Sequence, residues 1–224
     1  MKNIGISQRV VFDEMSGEVR DVLDQRWYNF SIKTNLRLFP IPNKLIETSQ
    51  YLKILSLDGL ILSGGNNVGS QNKVLFKDKT LINDDVSLER ESTEIKLLDW
   101  ALKNNKPVLG VCKGMQFINS YFKGSQVKLD GLTHVNKKHK INFIDNEFIE
   151  FYGKKNYVNS YHNFGIQKNE LSNQLIPTGY FDDIVESSRH INKRIYGIMW
   201  HPERNNPFDC SDLKLIKNIF KYDE

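Results

Sequence analysis

The sequence predicts an α/β fold: a mostly parallel central sheet flanked by helices, with antiparallel additions in the C-terminal half. Two observations predict it. Through residue 122, short continuous apolar runs alternate with stretches of helical period, the pattern of strands buried on both faces by crossover helices. Beyond residue 140 the helical period gives way to closely spaced strand-like runs joined by short turns, as in antiparallel additions to a sheet.

Lys2 to Val10 reads as the first strand. Gly17 to Phe30 carries Val19, Val22, Leu23, Trp27 and Phe30 at helical spacing. Leu38-Phe39-Pro40-Ile41-Pro42 is a short strand closed by proline, and Lys44 to Leu55 reads as a helix. Gly59-Leu60-Ile61-Leu62 is a buried-type strand that stops abruptly at Ser63-Gly64-Gly65. Residues 86–105 hold Val86, Leu88, Ile95, Leu97, Leu98, Ala101 and Leu102 on a long helix that runs out at Asn104-Asn105. Pro107 to Val111 is then a strand, and Met115 to Phe122 a helix. Ile141 to Tyr152, Asn156 to Ile166, Leu175 to Phe181, Ile184 to His190 and Arg194 to Trp200 read mainly as strands. A helix over 211–220, with Leu213, Leu215, Ile216, Ile219 and Phe220, closes the order.

With 224 residues, 39% of them hydrophobic and 26% charged, the chain can build one sizeable core. It shows no repeat and no linker, so residues 1–224 are expected to form a single domain. The 31 Lys+Arg against 27 Asp+Glu leave a net charge of +4, short of the concentrated positive charge that nucleic acid requires. Gln8 and Arg9 interrupt the first apolar stretch, and nowhere do about 18 apolar residues run together, so neither export nor a membrane partner is expected. Cys112 and Cys210 allow at most one bridge, which fits a reducing, cytoplasmic setting. Composition carries no argument about oligomeric state.

The sharpest local signal is Gly110-Val111-Cys112-Lys113-Gly114, a glycine-x-nucleophile-x-glycine turn between an apolar strand and a helix. Such a turn forces the central side chain outward, and the small flanking residues let neighbouring elements close in. A thiol at a helix N-terminus is also pushed toward thiolate by the unpaired N–H groups and the helix dipole. A thiolate nucleophile needs a base, and the base needs an orienting group. Among His134, His139, His162, His190 and His201, the last stands out: Trp200-His201-Pro202-Glu203 ends an apolar run, and residues two apart in an extended chain face the same side. His201 is therefore the candidate base and acid, Glu203 its orienting carboxylate. Gly64 and Gly65, at the same end of the sheet, can turn backbone N–H groups toward a developing oxyanion, with the N–H of Lys113 as a further donor.

Taken together and in this order, Ser63-Gly64-Gly65, Gly110-Val111-Cys112-Lys113-Gly114-Met115-Gln116 and His201-Pro202-Glu203 resemble class I glutamine amidotransferases, more closely their stand-alone γ-glutamyl hydrolase branch of the peptidase C26 type. Asn159-Ser160-Tyr161-His162 also looks like the segment before the last strands of that family, so the likeness covers nearly the whole chain. It implies a flavodoxin-like architecture, a Cys112, His201, Glu203 triad, and a γ-glutamyl thioester, with no cofactor. By the same likeness Gln116 helps hold the glutamyl group, and the backbone around Ser160, Tyr161 and His162 holds its α-amino and carboxylate ends. The sequence departs from polyamine-pathway members at Asn66-Asn67, where those tend to carry an aspartate; Asn66 is kept with the substrate-side residues.

Ile4-Gly5-Ile6-Ser7-Gln8-Arg9 and Asp21-Val22-Leu23-Asp24-Gln25-Arg26-Trp27 resemble a bacterial subgroup linked to surface polysaccharides. Within that subgroup, γ-glutamyl-CDP-amidate hydrolases release cytidine diphosphoramidate for capsule biosynthesis. Arg9 and Arg26 have the guanidinium geometry to grip a carboxylate or pyrophosphate, though Arg26 on a helix serves equally as a surface ion pair. Lys137-Lys138-His139-Lys140 reads as a solvated face. His134 and His139, five apart and beside no cysteine or carboxylate cluster, lack metal-site spacing, and no metal is expected. Cys210 reads as structural.

The leading reading is hydrolysis of a γ-glutamyl conjugate, nucleotide-linked in the subgroup above or of polyamine or GABA type. A glutaminase subunit feeding a separate synthetase uses the same chemistry, and a non-catalytic binding protein on the same fold is the third reading. The absence of a P-loop, and a length that leaves no room for a nucleotide-activating domain, favour the stand-alone hydrolase.

Overall fold

The computed structural model describes residues 1–45, 47–69 and 85–221. The first half runs β1 (Lys2–Ser7), β2 (Arg9–Asp13), β3 (Glu18–Val22), α1 (Arg26–Thr34), β4 (Leu36–Ile41), α2 (Thr48–Ile54) and β5 (Gly59–Leu62). Then come α3 (Leu88–Lys103), β6 (Val108–Val111), α4 (Lys113–Tyr121), β7 (Val127–Lys128) and α5 (Gly131–His134). The second half holds β8 (Val135–Phe143), α6 (Asn146–Tyr152), β9 (Lys155–Tyr161), β10 (Phe164–Gly165), β11 (Leu175–Phe181), β12 (Ile184–His190), β13 (Ile195–Ile198) and α7 (Cys210–Ile219).

Nine strands form the central sheet in the order β4-β1-β5-β6-β13-β12-β11-β8-β9. The five from β4 to β13 are mutually parallel, and the rest join antiparallel. Every residue of β5, β6 and β13 is buried, as strands covered on both faces must be. One face packs Ile61 and Leu109 against Trp27 and Phe30 of α1, Phe148 of α6 and Ile216 and Ile219 of α7. The other packs Leu60, Leu62 and Val108 against Leu52, Leu97, Leu98, Phe117 and Ile118. None of the described helices is long and apolar enough to cross a membrane.

Three sequence expectations are corrected. The first strand ends at Ser7, and Arg9–Asp13 turns into a separate hairpin with β3. Residues 17–30 are not one helix: the Gly17 N–H bonds Asp13 O at 2.8 Å and Gly17 adopts φ +70°, closing a tight hairpin turn. Val19 and Val22 are 54% and 36% exposed, so their spacing matched a helix without marking a core face. Residues 141–152 are likewise split. Asp145 accepts the Glu147 N–H and caps α6, which buries Phe148 and Tyr152 one turn apart. β8 starts earlier, at Val135: the lysines of the 137–140 run are exposed while His139, Ile141 and Phe143 alternate inward.

Because β1, β5, β6 and β13 are parallel neighbours, their carboxyl ends lie along one rim, and Ser7, Ser63, Cys112 and the segment leading to His201 all emerge there.

Candidate active site

Cys112 stands between β6 and α4 with φ +52° and ψ −108°, a conformation that costs a non-glycine residue about 1–3 kcal/mol unless its surroundings enforce it. They do: its N–H donates to Ile198 O at 2.8 Å, and its carbonyl accepts from Gln116 N at 3.2 Å. The flanking glycines permit the approach. A Cβ on Gly114 would sit 2.0 Å from the Leu62 carbonyl oxygen, and one on Gly110 would sit 2.6 Å from the Gly114 backbone. The thiol is held at the mouth of α4, 8% exposed.

His201 itself keeps an extended backbone as the N-cap of a short 3-10 helix, Pro202–Arg204, so the step from His201 to Glu203 is helical rather than the extended one the sequence implied. The turn carries Glu203 back onto the ring, where Oε1 lies 2.7 Å from His201 Nδ1. The Cys112 sulfur lies near enough to the ring for each group to shift the other's proton affinity. Burial by itself would lower the imidazole's affinity for a proton, but the Glu203 carboxylate and the Cys112 sulfur outweigh it and lift His201 to about 9. Burial pushes the thiol up, yet His201, His162 and the Lys113 N–H together hold it below its ordinary value. The pair therefore favours imidazolium and thiolate. Asn159 grips the His201 backbone twice, accepting its N–H and donating to its carbonyl, both at 2.8 Å.

The glycine loop is organised by Arg90, a fully buried guanidinium that donates to the carbonyls of Ser63, Gly64 and Gly65. With three successive carbonyls turned toward Arg90, planar trans peptides aim the N–H groups of Gly64, Gly65 and Asn66 the opposite way. Arg90 is paired with Glu94, which also binds the buried Lys113 ammonium and the Ser7 hydroxyl. Burial outweighs that pairing and pushes Lys113 down to about 8. Gly64 packs against the imidazole so closely that a Cβ there would meet His201 Cε1 at 2.5 Å.

A cavity of about 280 Å³ opens beside the loop, with Arg9, Asp24, Trp27, Gly64, Gly65 and His201 among its walls. Of the two arginines singled out in the sequence, Arg9 is at this cavity and pairs with Asp85 at 2.7 Å. Arg26 is not: it forms a surface pair with Asp24. The Asn66 side chain bonds the backbone of Val10 in both directions and Asp85, tying the glycine loop to the β2–β3 hairpin. Gln116 is buried and donates to Phe164 O at 2.9 Å. The Ser160 hydroxyl donates to His134 O, and its backbone is placed opposite Lys137 in the β8–β9 pairing. Tyr161 stands edge-on to His201 at 5.9 Å between ring centres. His162 is buried near the thiol, with Nδ1 on Phe164 O at 2.9 Å.

Sequence reading missed Arg90, Glu94, Asn159 and Glu186. Arg90 and Glu94 had a signal: they precede Leu97, Leu98 and Ala101 on the buried stripe of α3, where a charge must have a partner. The expectation that His134 and His139 lie beside no carboxylate is corrected, because β12 brings Glu186 to within 3.0 Å of His139. Cys210 is exposed at the start of α7 rather than built into the core.

The Peptidase C26 family profile matches residues 4–203. γ-Glutamyl-CDP-amidate hydrolase of Campylobacter jejuni is 29% identical over 219 residues, spanning 97% of this chain and 96% of that protein. The glutamine-hydrolysing GMP synthase subunit of Methanococcus aeolicus is 26% identical over 203 residues, spanning 87% and 91% respectively. A glutamine amidotransferase crystal structure from Thermotoga maritima shares the fold, with a TM-score of 0.64 over 97% of this chain and 83% of that one at 13% identity. The chain therefore belongs to the Peptidase C26 family and is a cysteine-dependent amide hydrolase of the glutamine amidotransferase type.

Proposed function

We propose that this chain, acting as one domain over residues 1–224, hydrolyses γ-glutamyl-CDP-amidate to glutamate and cytidine diphosphoramidate, using Cys112, His201 and Glu203. The observation that carries the chemistry is the His201 imidazole, held at 2.7 Å by Glu203 and close enough to the Cys112 sulfur to lower the thiol's pKa. The thiolate attacks the δ-carbonyl carbon, and the oxygen gathers negative charge facing the outward N–H groups of Gly64, Gly65 and Lys113. Imidazolium then gives its proton to the departing nitrogen as the C–N bond breaks. The γ-glutamyl thioester remains. Neutral His201 next takes a proton from water, whose oxygen attacks the thioester; the C–S bond breaks, glutamate leaves, and the thiolate–imidazolium pair is restored.

Gln116, Asn66 and the backbone of Ser160, Tyr161 and His162 position the glutamyl group, and Arg9 on the cavity wall meets the pyrophosphate. Support for the nucleotide-linked substrate is the near full-length likeness to the Campylobacter hydrolase. In this reading the reaction runs in the reducing cytoplasm, where the free Cys112 thiol stays available, and needs no cofactor. A second reading, a glutaminase component that supplies ammonia to a synthetase, draws on the likeness to the Methanococcus GMP synthase subunit.

The test is glutamate release by the purified chain alone from γ-glutamyl-CDP-amidate, γ-glutamyl polyamines and glutamine. A kcat/KM at least ~100-fold higher for the nucleotide conjugate is expected, about 2.7 kcal/mol of discrimination. Equal turnover of simple γ-glutamyl amines rejects that substrate, and glutamine turnover that appears only with a partner synthetase supports the second reading.

A further inference from the structure

The buried groups behind the thiol include four whose donor atoms converge and which the proposed reaction does not use as acid, base or nucleophile. His134 ends α5, His139 is on β8, His162 follows β9 and Glu186 is on β12. One donor atom from each lies within 4.8 Å of every other, and the residues are 7%, 1%, 3% and 0% exposed. We infer that these four side chains form a zinc-binding site.

The spacing suits the ion. Four ligands at Zn–N and Zn–O distances of about 2.0–2.1 Å in a tetrahedron stand about 3.4 Å apart. Glu186 Oε1 lies 3.0 Å from His139 Nδ1 and 3.3 Å from His162 Nε2, so these three need little adjustment.

The surroundings of the rings suit it as well. His139 Nε2 is 3.1 Å from the Thr133 carbonyl, and His162 Nδ1 is 2.9 Å from the Phe164 carbonyl. In the tautomer whose N–H meets that carbonyl, a neutral imidazole presents its lone pair on the nitrogen that faces the cluster. This backbone support is what ligating histidines ordinarily have. Phe181 stacks flat on His139 at 3.9 Å and 10°, fixing the plane of that ring.

Unsatisfied polar atoms point the same way. His134 Nδ1, His162 Nε2 and Glu186 Oε2 are buried without hydrogen-bond partners, a costly state for polar atoms that a cation relieves. With lone pairs aimed at one carboxylate, the empty cluster can bond internally only by adding protons to the rings, whereas a divalent ion bonds to all four groups at once.

Three imidazoles and one carboxylate suit zinc, while magnesium and calcium want oxygen donors. Four protein ligands fill a tetrahedron, so the role is structural rather than catalytic. The ion ties α5, β8 and β12 to the end of β9, the strand end that borders Cys112. This inference does not rest on the proposed substrate.

The test uses the full chain as the Cys112→Ala, Cys210→Ser variant, which removes both thiols as competing ligands. After stripping with a chelator, it is titrated with Zn²⁺ by calorimetry and its metal content is measured after gel filtration. The expected result is one zinc per chain, a higher Tm when loaded, and at least a tenfold weaker Kd in His134→Ala. His134→Ala is the mildest deletion, since its Nδ1 bonds nothing in the folded protein. Co²⁺ loading is expected to give the visible bands of a tetrahedral nitrogen and oxygen site. A stripped thiol-free variant that binds no stoichiometric zinc overturns the inference, whatever the ligand variants do. So does a cobalt spectrum in the unsubstituted chain with a thiolate charge-transfer band that disappears in Cys112→Ala, or binding that survives in His134→Ala combined with Glu186→Gln.

Discussion

Substituting Gly64 by alanine perturbs the reaction without removing any group that titrates. The added Cβ falls 2.5 Å from His201 Cε1, about 1 Å inside the ~3.5 Å at which two carbons rest. The ring has little room to yield, because Glu203 holds Nδ1 and Asn159 holds the backbone on both sides. Relief therefore moves the imidazole or the glycine loop by a sizeable fraction of that 1 Å, and a misplacement of this order can lower a rate ~100-fold. Gly64 does not adopt a positive φ, so alanine adds no backbone strain and the fold is expected to tolerate it. Steady-state glutamate release is expected to show kcat down about 100-fold, with Tm within a few degrees of the parent chain. A variant with kcat within threefold of the parent would refute the claim that the reaction depends on where Gly64 sets the ring. Gly65→Ala is the contrast: there φ is +80° and the added Cβ meets the flexible Arg9 side chain, so the expected loss is of stability, ~1–2 kcal/mol.

Cys112→Ala is expected to lower glutamate release by at least ~10⁴-fold, and parent activity in that variant rules out the thioester route. The activity profile is expected to fall on the acid side as the thiolate is protonated, at a pH below the thiol's ordinary value, and on the alkaline side through about 9 as His201 loses its proton. Glu203→Gln removes the charge that favours the imidazolium, so the alkaline limb is expected to move to lower pH with kcat down ~100-fold or more; an unmoved limb denies Glu203 that role. The raised His201 value also carries a linkage: its contribution to folding is complete below pH 6.5 and is lost as pH climbs through about 9, a trend that urea titrations across that window will show. Glu94→Ala strands the buried Arg90 and Lys113 cations and is expected to cost about 3–5 kcal/mol in urea unfolding, a change below 1 kcal/mol contradicting the ion-pair account.

What could be read from the chain was what sits close together in it. The Gly110–Gly114 turn states its own geometry, since only glycine lets α4 approach the Leu62 backbone and Gly110 this closely. The same holds for His201 and Glu203, whose contact spans two residues, although the turn that joins them is helical rather than extended. The parallel sheet was legible because β5, β6 and β13 are apolar throughout. The β2–β3 hairpin was not, because Val19 and Val22 imitate a helical period while facing solvent. Arg90 to the glycine loop, Asn159 to His201 and Glu186 to His139 join residues 24 to 47 apart, and a single sequence carries no trace of such pairings.

The sheet order also sets a timetable. Among the described strands β13 comes last in the chain, yet its slot is internal, between β6 and β12. A nascent chain that has emerged only through β12 already carries the cysteine but has neither its imidazole nor the Ile198 carbonyl that secures its backbone. Insertion of β13 thus brings the Ile198 carbonyl to the cysteine and, three residues on, the imidazole as well, while α7 has still to pack on the sheet.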